Sequence, residues 1–409
     1  MSAEQNFVIV GGGLAGASAA EELRKQGFDG SIRIIAAENH QPYIRPPLSK
    51  GYLAGSDKLD AVYVHPAEWY KTNRIEVTTG VSVTGIDRAA HEVSLSTGDK
   101  ARYDKLLLAT GSSPRILTID GADLAGVHYL RTLDDSEALQ AELKDGGKKL
   151  VLVGSGWIGM EVGGTASTLG NEVAILERDP IPLANALGDE LGTMFAELHK
   201  EHGVVLRTSV VVDRIVGTDG RVSGVALGDG EIVPADLVLV GVGAIPNVGL
   251  AKDAGLDVDN GILTDASLQT SDPDIYAAGD VASALHPLIG QRLRSEHWAN
   301  ALNEGPAAAR AMLGQEVAFN DIPYFYTDQF DLGMEYSGYS PLTRGATVVY
   351  RGNRAGREFI AFWVADGKVV AGMNVNVWDV NEQVQRIIRE GKTVDTARLA
   401  DESVPLEEI

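Results

Sequence analysis

Two short stretches carry the glycine spacing that lets a backbone close around a phosphate. Gly11, Gly13 and Gly16 stand in "VGGGLAG", and Gly154, Gly156 and Gly159 stand in "VGSGWIG". In a G-x-G-x-x-G turn the first glycine permits the tight bend, the second lets a pyrophosphate approach, and the third lets helix pack on strand. The N–H groups and positive dipole end of the following helix then face the phosphates. Each triplet follows an apolar run, "FVIV" or "LVLV", and precedes a helical stretch, so both read as dinucleotide sites. Glu177 ends the next strand after the second triplet, "EVAILE". A carboxylate there accepts ribose hydroxyls and repels a 2′-phosphate, which points to NAD over NADP. The same position after the first triplet is Ala36, and the nearest carboxylate is Glu38. Asp280, in "IYAAGD", is placed at a strand end before a helix, where it suits a flavin ribityl hydroxyl.

The chain has no cysteine, which excludes disulfides, thiolate metal sites and any thiol relay on this polypeptide. Its eight histidines show no metal-binding spacing. Two dinucleotide sites without a thiol imply two dinucleotides exchanging electrons, one flavin and one nicotinamide. A net charge of −22 and a pI near 4.7 argue against nucleic acid or an anionic membrane as a partner. No apolar run approaches a bilayer-spanning length, and a strand-like segment begins by Phe7, so a cytosolic protein is expected.

The elements that must position these residues come from an internal duplication. "FVIVGGGLAGASAAEELRKQG" (7–27) and "LVLVGSGWIGMEVGGTASTLG" (150–170) superpose glycine on glycine. Each reads as strand, turn and helix with a glycine stop, and the long offset means duplicated domains rather than a solenoid. Each is followed by alternating strand-like runs and turns that end in an apolar strand, "KLLLAT" or "LVLVGVG". From about Pro323 the chain changes to aromatic, alternating strands and a closing helix, "VNEQVQRIIREG".

Together "VGGGLAG", "PYIRPPLSK", "LLLATGSSPR", "YLRTLDD", "LVGSGWIGMEVGG", "GVGAIPN", "IYAAGD", "SEHWANALNEG" and "PYFYTDQFDLGMEYSG" resemble the FAD-dependent, NADH-using ferredoxin reductases of oxygenase and cytochrome P450 chains, relatives of putidaredoxin reductase and apoptosis-inducing factor. The resemblance covers nearly the whole chain. It implies an α/β fold of two Rossmann-like domains and a small α+β C-terminal domain. Residues 1–108 and 246–322 would form the FAD domain, 109–245 the NAD domain, and 323–409 the C-terminal domain. FAD contacts would fall on Gly11, Gly13, Ala15, Gly16, Ala37, Glu38, Arg45, Lys50, Val83, Arg131, Asp280 and Trp298. NADH contacts would fall on Gly154, Gly156, Ile158, Gly159, Glu161, Glu177 and Gly243.

The same likeness implies a Lys50–Glu161 pair, with Glu161 in the first turn of the NADH-site helix and Lys50 on the FAD domain at the flavin ring. Tyr326 stands where many relatives carry tryptophan. The implied partner is a small iron–sulfur ferredoxin meeting a local basic patch, with Arg292, Arg294 and Arg310 as candidates, on a monomer or weak dimer. A rubredoxin reductase, or an NADH-sensing interaction protein like apoptosis-inducing factor, is the alternative.

Overall fold

A computed structural model describes residues 5–409. The described residues form two compact units, one of residues 5–44, 58–113 and 244–323, the other of residues 45–57, 114–243 and 324–409. Both are built on the duplicated element. In the first unit the strand Asn6–Val10 lies at the centre of a five-stranded parallel sheet, between Lys105–Leu108 and Ser31–Ile35. The outer strands are Ile275–Ala277 and Ile75–Thr78. In the second unit Lys149–Val153 takes the same place between Leu237–Val240 and Glu172–Leu176, with Val127–His128 and Val205–Arg207 outermost. The inner strands Asn6–Val10, Lys105–Leu108, Lys149–Val153 and Leu237–Val240 are near-continuous apolar runs because a parallel sheet is covered on both faces.

Each central strand feeds a twelve-residue helix, Leu14–Lys25 or Trp157–Thr168. Each unit also carries a three-stranded antiparallel sheet, Val83–Asp87, Glu92–Leu95 and Lys100–Arg102 in the first, and Val212–Thr218, Arg221–Leu227 and Ile232–Pro234 in the second. In the first unit the ends of the two crossover segments are tied together. The Thr110 hydroxyl donates to the Asn247 carbonyl at 2.9 Å, and the Asn247 amide returns a bond to the Thr110 carbonyl at 2.8 Å.

Residues 324–409 form a five-stranded antiparallel sheet in the order Tyr324–Gln329, Leu332–Gly338, Lys368–Val375, Glu358–Ala365, Thr347–Asn353, with the helix Asn381–Glu390 against it. The expected sheet and closing helix are therefore present. The sheet shares a core with the second repeat: Trp157 packs on Phe325 with ring centroids 5.0 Å apart, and Phe325 on Tyr336 at 5.1 Å.

In the first unit the helix Leu14–Lys25 packs tightly on the helix Trp298–Met312. They approach closely at Gly305, where an added Cβ would lie 2.3 Å from the carbonyl oxygen of Ala15 and 3.1 Å from the Ala19 nitrogen. Both are backbone atoms and cannot rotate away. Gly305→Ala should therefore destabilise the protein by about 1–3 kcal/mol through overpacking. Urea unfolding checks this, and an unchanged midpoint would contradict the packing described.

Candidate active site

The two glycine turns are built alike. Gly11 donates its N–H to the Ile35 carbonyl and Gly154 donates to the Leu176 carbonyl, both at 2.9 Å. Their φ angles are +126° and +100°, and an added Cβ would lie 2.1 Å from Ala109 O or 2.5 Å from Gly241 O. The third glycines, Gly16 and Gly159, meet the carbonyl oxygens of Gly11 and Gly154, each at 2.4 Å from an added Cβ. The second glycines differ in kind. Nothing lies within 4 Å of a Cβ at Gly13, and at Gly156 only Gly241 O comes near, at 3.9 Å. Both are helix N-caps with no side-chain bond, so the helix N–H groups above them face open space. That cradle, closed at first and third glycine and open at the second, fits a pyrophosphate.

The residue after the first glycine distinguishes the repeats. A Cβ at Gly12 would lie 2.5 Å from that of Ala36, so two small residues fill the first turn. In the second, Ser155 donates its N–H at 2.8 Å and its hydroxyl at 2.6 Å to one oxygen of Glu177, and the Asp179 N–H reaches the other at 2.8 Å. Burial pushes the Glu177 carboxyl up, but these bonds outweigh it and hold the group below the usual carboxylate range. Glu177 is thus a fixed anion at the end of its strand. Gly243 is left-handed, with φ +103°, and Ile158 is an exposed apolar residue at the helix start.

In the first unit Ala15 is buried, Ala37 follows the Ser31–Ile35 strand closely, and Val83 opens the antiparallel sheet. Glu38 accepts the Tyr43 hydroxyl. Asp280 accepts the Ser112 hydroxyl at 2.8 Å, and Trp298 begins the helix Trp298–Met312. Beneath Asp280 lies a carboxyl that sequence reasoning missed. Glu304 is buried and accepts the Gly279 N–H at 2.7 Å. Burial pushes it up to about 8, helped by Asp280 and Asp321 and opposed by hydrogen bonds from Gly279 and Asn300. Nearby His297 is driven down to about 4 by burial. Both groups are neutral at neutral pH.

"PYIRPPLSK" differs from expectation in its allegiance. Residues 45–57 pack in the second unit, so Lys50 and Glu161 belong to one unit. Pro46–Ser49 form a 3₁₀ turn with proline at its start, where the missing N–H costs nothing. Ser136 donates to the Leu48 carbonyl at 2.9 Å and Thr165 to the Ser49 carbonyl at 2.8 Å. The turn thus delivers Lys50, whose Nζ lies 2.7 Å from Glu161 Oε2, with side chains only 18% and 5% exposed. Ser49 donates to the same oxygen at 2.5 Å and Thr327 donates to Oε1 at 2.6 Å. Lys50 Nζ also sits 5.6 Å from the Tyr326 ring centre. The helix starts at Trp157, so Glu161 opens the second turn rather than lying in the first. Arg45 donates to the Arg131 carbonyl, which brings those two candidates together in the same unit.

The three arginines considered for docking are all engaged within the first unit. Arg292 donates to the Thr264 and Ser283 carbonyls, at 2.6 and 2.8 Å. Arg294 pairs with Glu296 at 2.6 Å and Arg310 with Glu22 at 3.0 Å. Among the described residues no helix is long and apolar enough to cross a membrane, and no cluster of metal-ligating side chains occurs.

Two family models match: pyridine nucleotide-disulphide oxidoreductase over residues 5–305, and reductase C-terminal over residues 324–409. The chain belongs to this family, in its putidaredoxin reductase-like branch. A probable ferredoxin reductase, CtmF, of Castellaniella defragrans is 40% identical over 91% of this chain and 90% of its own length. Putidaredoxin reductase CamA of Pseudomonas putida is 37% identical over 100% and 97%. The solved ferredoxin reductase for the CYP199A2 system from Rhodopseudomonas palustris superposes with a TM-score of 0.95 at 35% identity, covering 99% of both chains. The protein is an FAD- and NAD(H)-using oxidoreductase of mixed α/β fold with two Rossmann-like domains and a C-terminal domain. The disulphide in the family's description has no counterpart here, since the chain has no cysteine.

Glu304 makes a prediction about stability rather than turnover. Its folded value, about 8, lies above the reference of 4.5, so its stabilising contribution is complete below about pH 4.5 and is lost as pH rises through that window. Gln at 304 does not titrate. Glu304→Gln should therefore gain melting temperature relative to the parent as pH rises from about 5 to about 9. A difference that stays constant with pH would contradict the assignment.

Proposed function

We propose that the protein takes electrons from NADH and passes them singly to a small iron–sulfur ferredoxin that serves a cytochrome P450 or Rieske-type oxygenase. The observation that carries this reading is the pair of open glycine cradles on duplicated folds in a chain without cysteine. With no thiol to receive a pair of electrons, they must leave for an external acceptor. Bound FAD supplies the step between a two-electron donor and a one-electron acceptor.

In this reading Gly11, Gly13, Ala15 and Gly16 hold the FAD pyrophosphate, Ala37 and Glu38 its adenosine ribose, and Asp280 its ribityl chain. Arg45, Val83, Arg131 and Trp298 complete its contacts. Gly154, Gly156, Ile158, Gly159 and Gly243 hold NADH. Glu177, kept anionic by Ser155 and Asp179, accepts the ribose hydroxyls and repels a 2′-phosphate. Lys50 supplies a fixed positive charge for the anion that develops on reduction, and Glu161 holds that ammonium in place. We assign ferredoxin docking to the surface carrying Arg310, whose side chain stays 37% exposed while paired to Glu22. The finer domain division, with residues 1–108 and 246–322 for FAD, 109–245 for NAD and 323–409 C-terminal, belongs to the same proposal.

Lys50→Met tests the central role. Flavin reduction by NADH should slow by about 100–1,000-fold at saturating NADH, on the scale of losing one preorganised donor. The variant should also lose stability, because Glu161 keeps only its two hydroxyl donors. In the double variant Lys50→Met/Glu161→Gln stability should return while reduction stays slow. Recovery of both would make the pair structural and sink the proposed role.

A further inference from the structure

The Lys50–Glu161 pair is the end of a longer chain of hydrogen bonds that runs into the core of the second unit. The Thr327 hydroxyl donates to Glu161 Oε1 at 2.6 Å, and its own oxygen accepts Gln329 Nε2 at 3.2 Å. Gln329 Oε1 then lies 2.9 Å from Nε2 of His199, which is fully buried on the helix Asp189–Glu201. Thr327 and Gln329 are alternate residues of the strand Tyr324–Gln329, so they share one face of it. Three elements distant in sequence thus contribute to one line of bonds.

The donor inventory fixes the direction of every bond. A carboxylate only accepts, so Thr327 must spend its single proton on Glu161. The Thr327 oxygen then needs a donor, which turns the Gln329 amide nitrogen toward it and the amide oxygen toward His199. That oxygen only accepts, so His199 must carry its proton on Nε2, and Nδ1 is left with no partner. Burial pushes the His199 imidazole below its usual range, which keeps it neutral. Reversing the chain requires a proton on Glu161, a flipped Gln329 amide and the other His199 tautomer, all together. The amide cannot pass a proton onward without that rearrangement, so the chain is no conduit.

We propose that Thr327, Gln329 and His199 form a positioning relay for the Lys50–Glu161 pair, a hydrogen-bond chain whose single polarity is set by the negative charge of Glu161. Its dipoles all point their positive ends at that carboxylate and stabilise it, and the carboxylate in turn holds Lys50. The consequence for flavin reduction rests on the role proposed above for that pair; the polarity of the chain does not.

The test uses the full-length, FAD-loaded protein with ¹⁵N-labelled histidine. His199 should show a protonated Nε2 and an unprotonated Nδ1, its signals assigned by their loss in His199→Gln. In Glu161→Gln the new amide can donate to Thr327 and release its proton toward Gln329. The His199 tautomer should then shift toward Nδ1–H. Thr327→Val cuts the same link without touching the carboxylate and should likewise release the tautomer. Wild-type signals in both variants would overturn the relay and leave the chain as core packing alone. A kinetic arm separates this from the reading of the pair. His199→Leu should slow flavin reduction about fivefold at unchanged KM for NADH, the worth of one net hydrogen bond, and His199→Gln, which restores a donor, should recover it. If the tautomer follows Glu161 while His199→Leu reduces normally, the polarity of the chain stands but its positioning role in flavin reduction is overturned, and the role of Lys50 is left to Lys50→Met.

Discussion

A carboxylate taken out of water must be met by donors on every side, and Glu161 imposes that demand on the second unit. An unpaired buried charge costs several kcal/mol, so the surrounding chain is committed to supplying partners. They come from two directions. The proline-stiffened 45–57 segment brings Ser49 and Lys50, and the C-terminal sheet brings Thr327. This explains why a segment adjacent in sequence to the first repeat packs with the second unit, and why the C-terminal sheet shares that unit's core. Residues 45–57 and 324–409 both close around one helix, Trp157–Thr168.

The two repeats share one backbone and differ at a pair of touching positions. The first and third glycines of both repeats are held by the same backbone approaches, and replacing any of these four would drive a side chain into a carbonyl. What varies is the position after the first glycine and the residue that ends the neighbouring strand. Gly12 with Ala36 leaves a bare, uncharged strand end, whereas Ser155 with Glu177 builds a fixed anion there. Electrostatics at a single strand end separates the two sites, on backbones that agree elsewhere in their hydrogen bonds.

Much of this was legible in the residues themselves. Glycine spacing works through backbone sterics, which are local, so both cradles and both parallel sheets could be read from short windows around Gly11 and Gly154. The pairing of Lys50 with Glu161 came only from family resemblance, because no local rule joins residues 111 positions apart. The packing of this segment is equally out of local reach: "PYIRPPLSK" follows the first repeat in sequence, while its bonds go to Ser136, Glu161 and Thr165. Thr327, Gln329 and His199 went unnoticed because each alone looks like an ordinary polar residue. The one available signal was period two in "YFYTDQ", which puts Thr327 and Gln329 on the face that carries Phe325. Glu304 was hidden in a helix of small residues, where nothing marks it as buried until Gly279 is seen to donate to it.

The account stands or falls on where the electrons go. The most direct measurement is anaerobic stopped-flow mixing of the FAD-loaded protein with NADH or NADPH, followed by mixing with an oxidised [2Fe–2S] ferredoxin. The account predicts that NADH bleaches the flavin far faster than NADPH, because of Glu177, and that two ferredoxins are then reduced for each NADH consumed. Equal rates with the two nucleotides, or a flavin reduced by NADH that leaves ferredoxins oxidised, would contradict it.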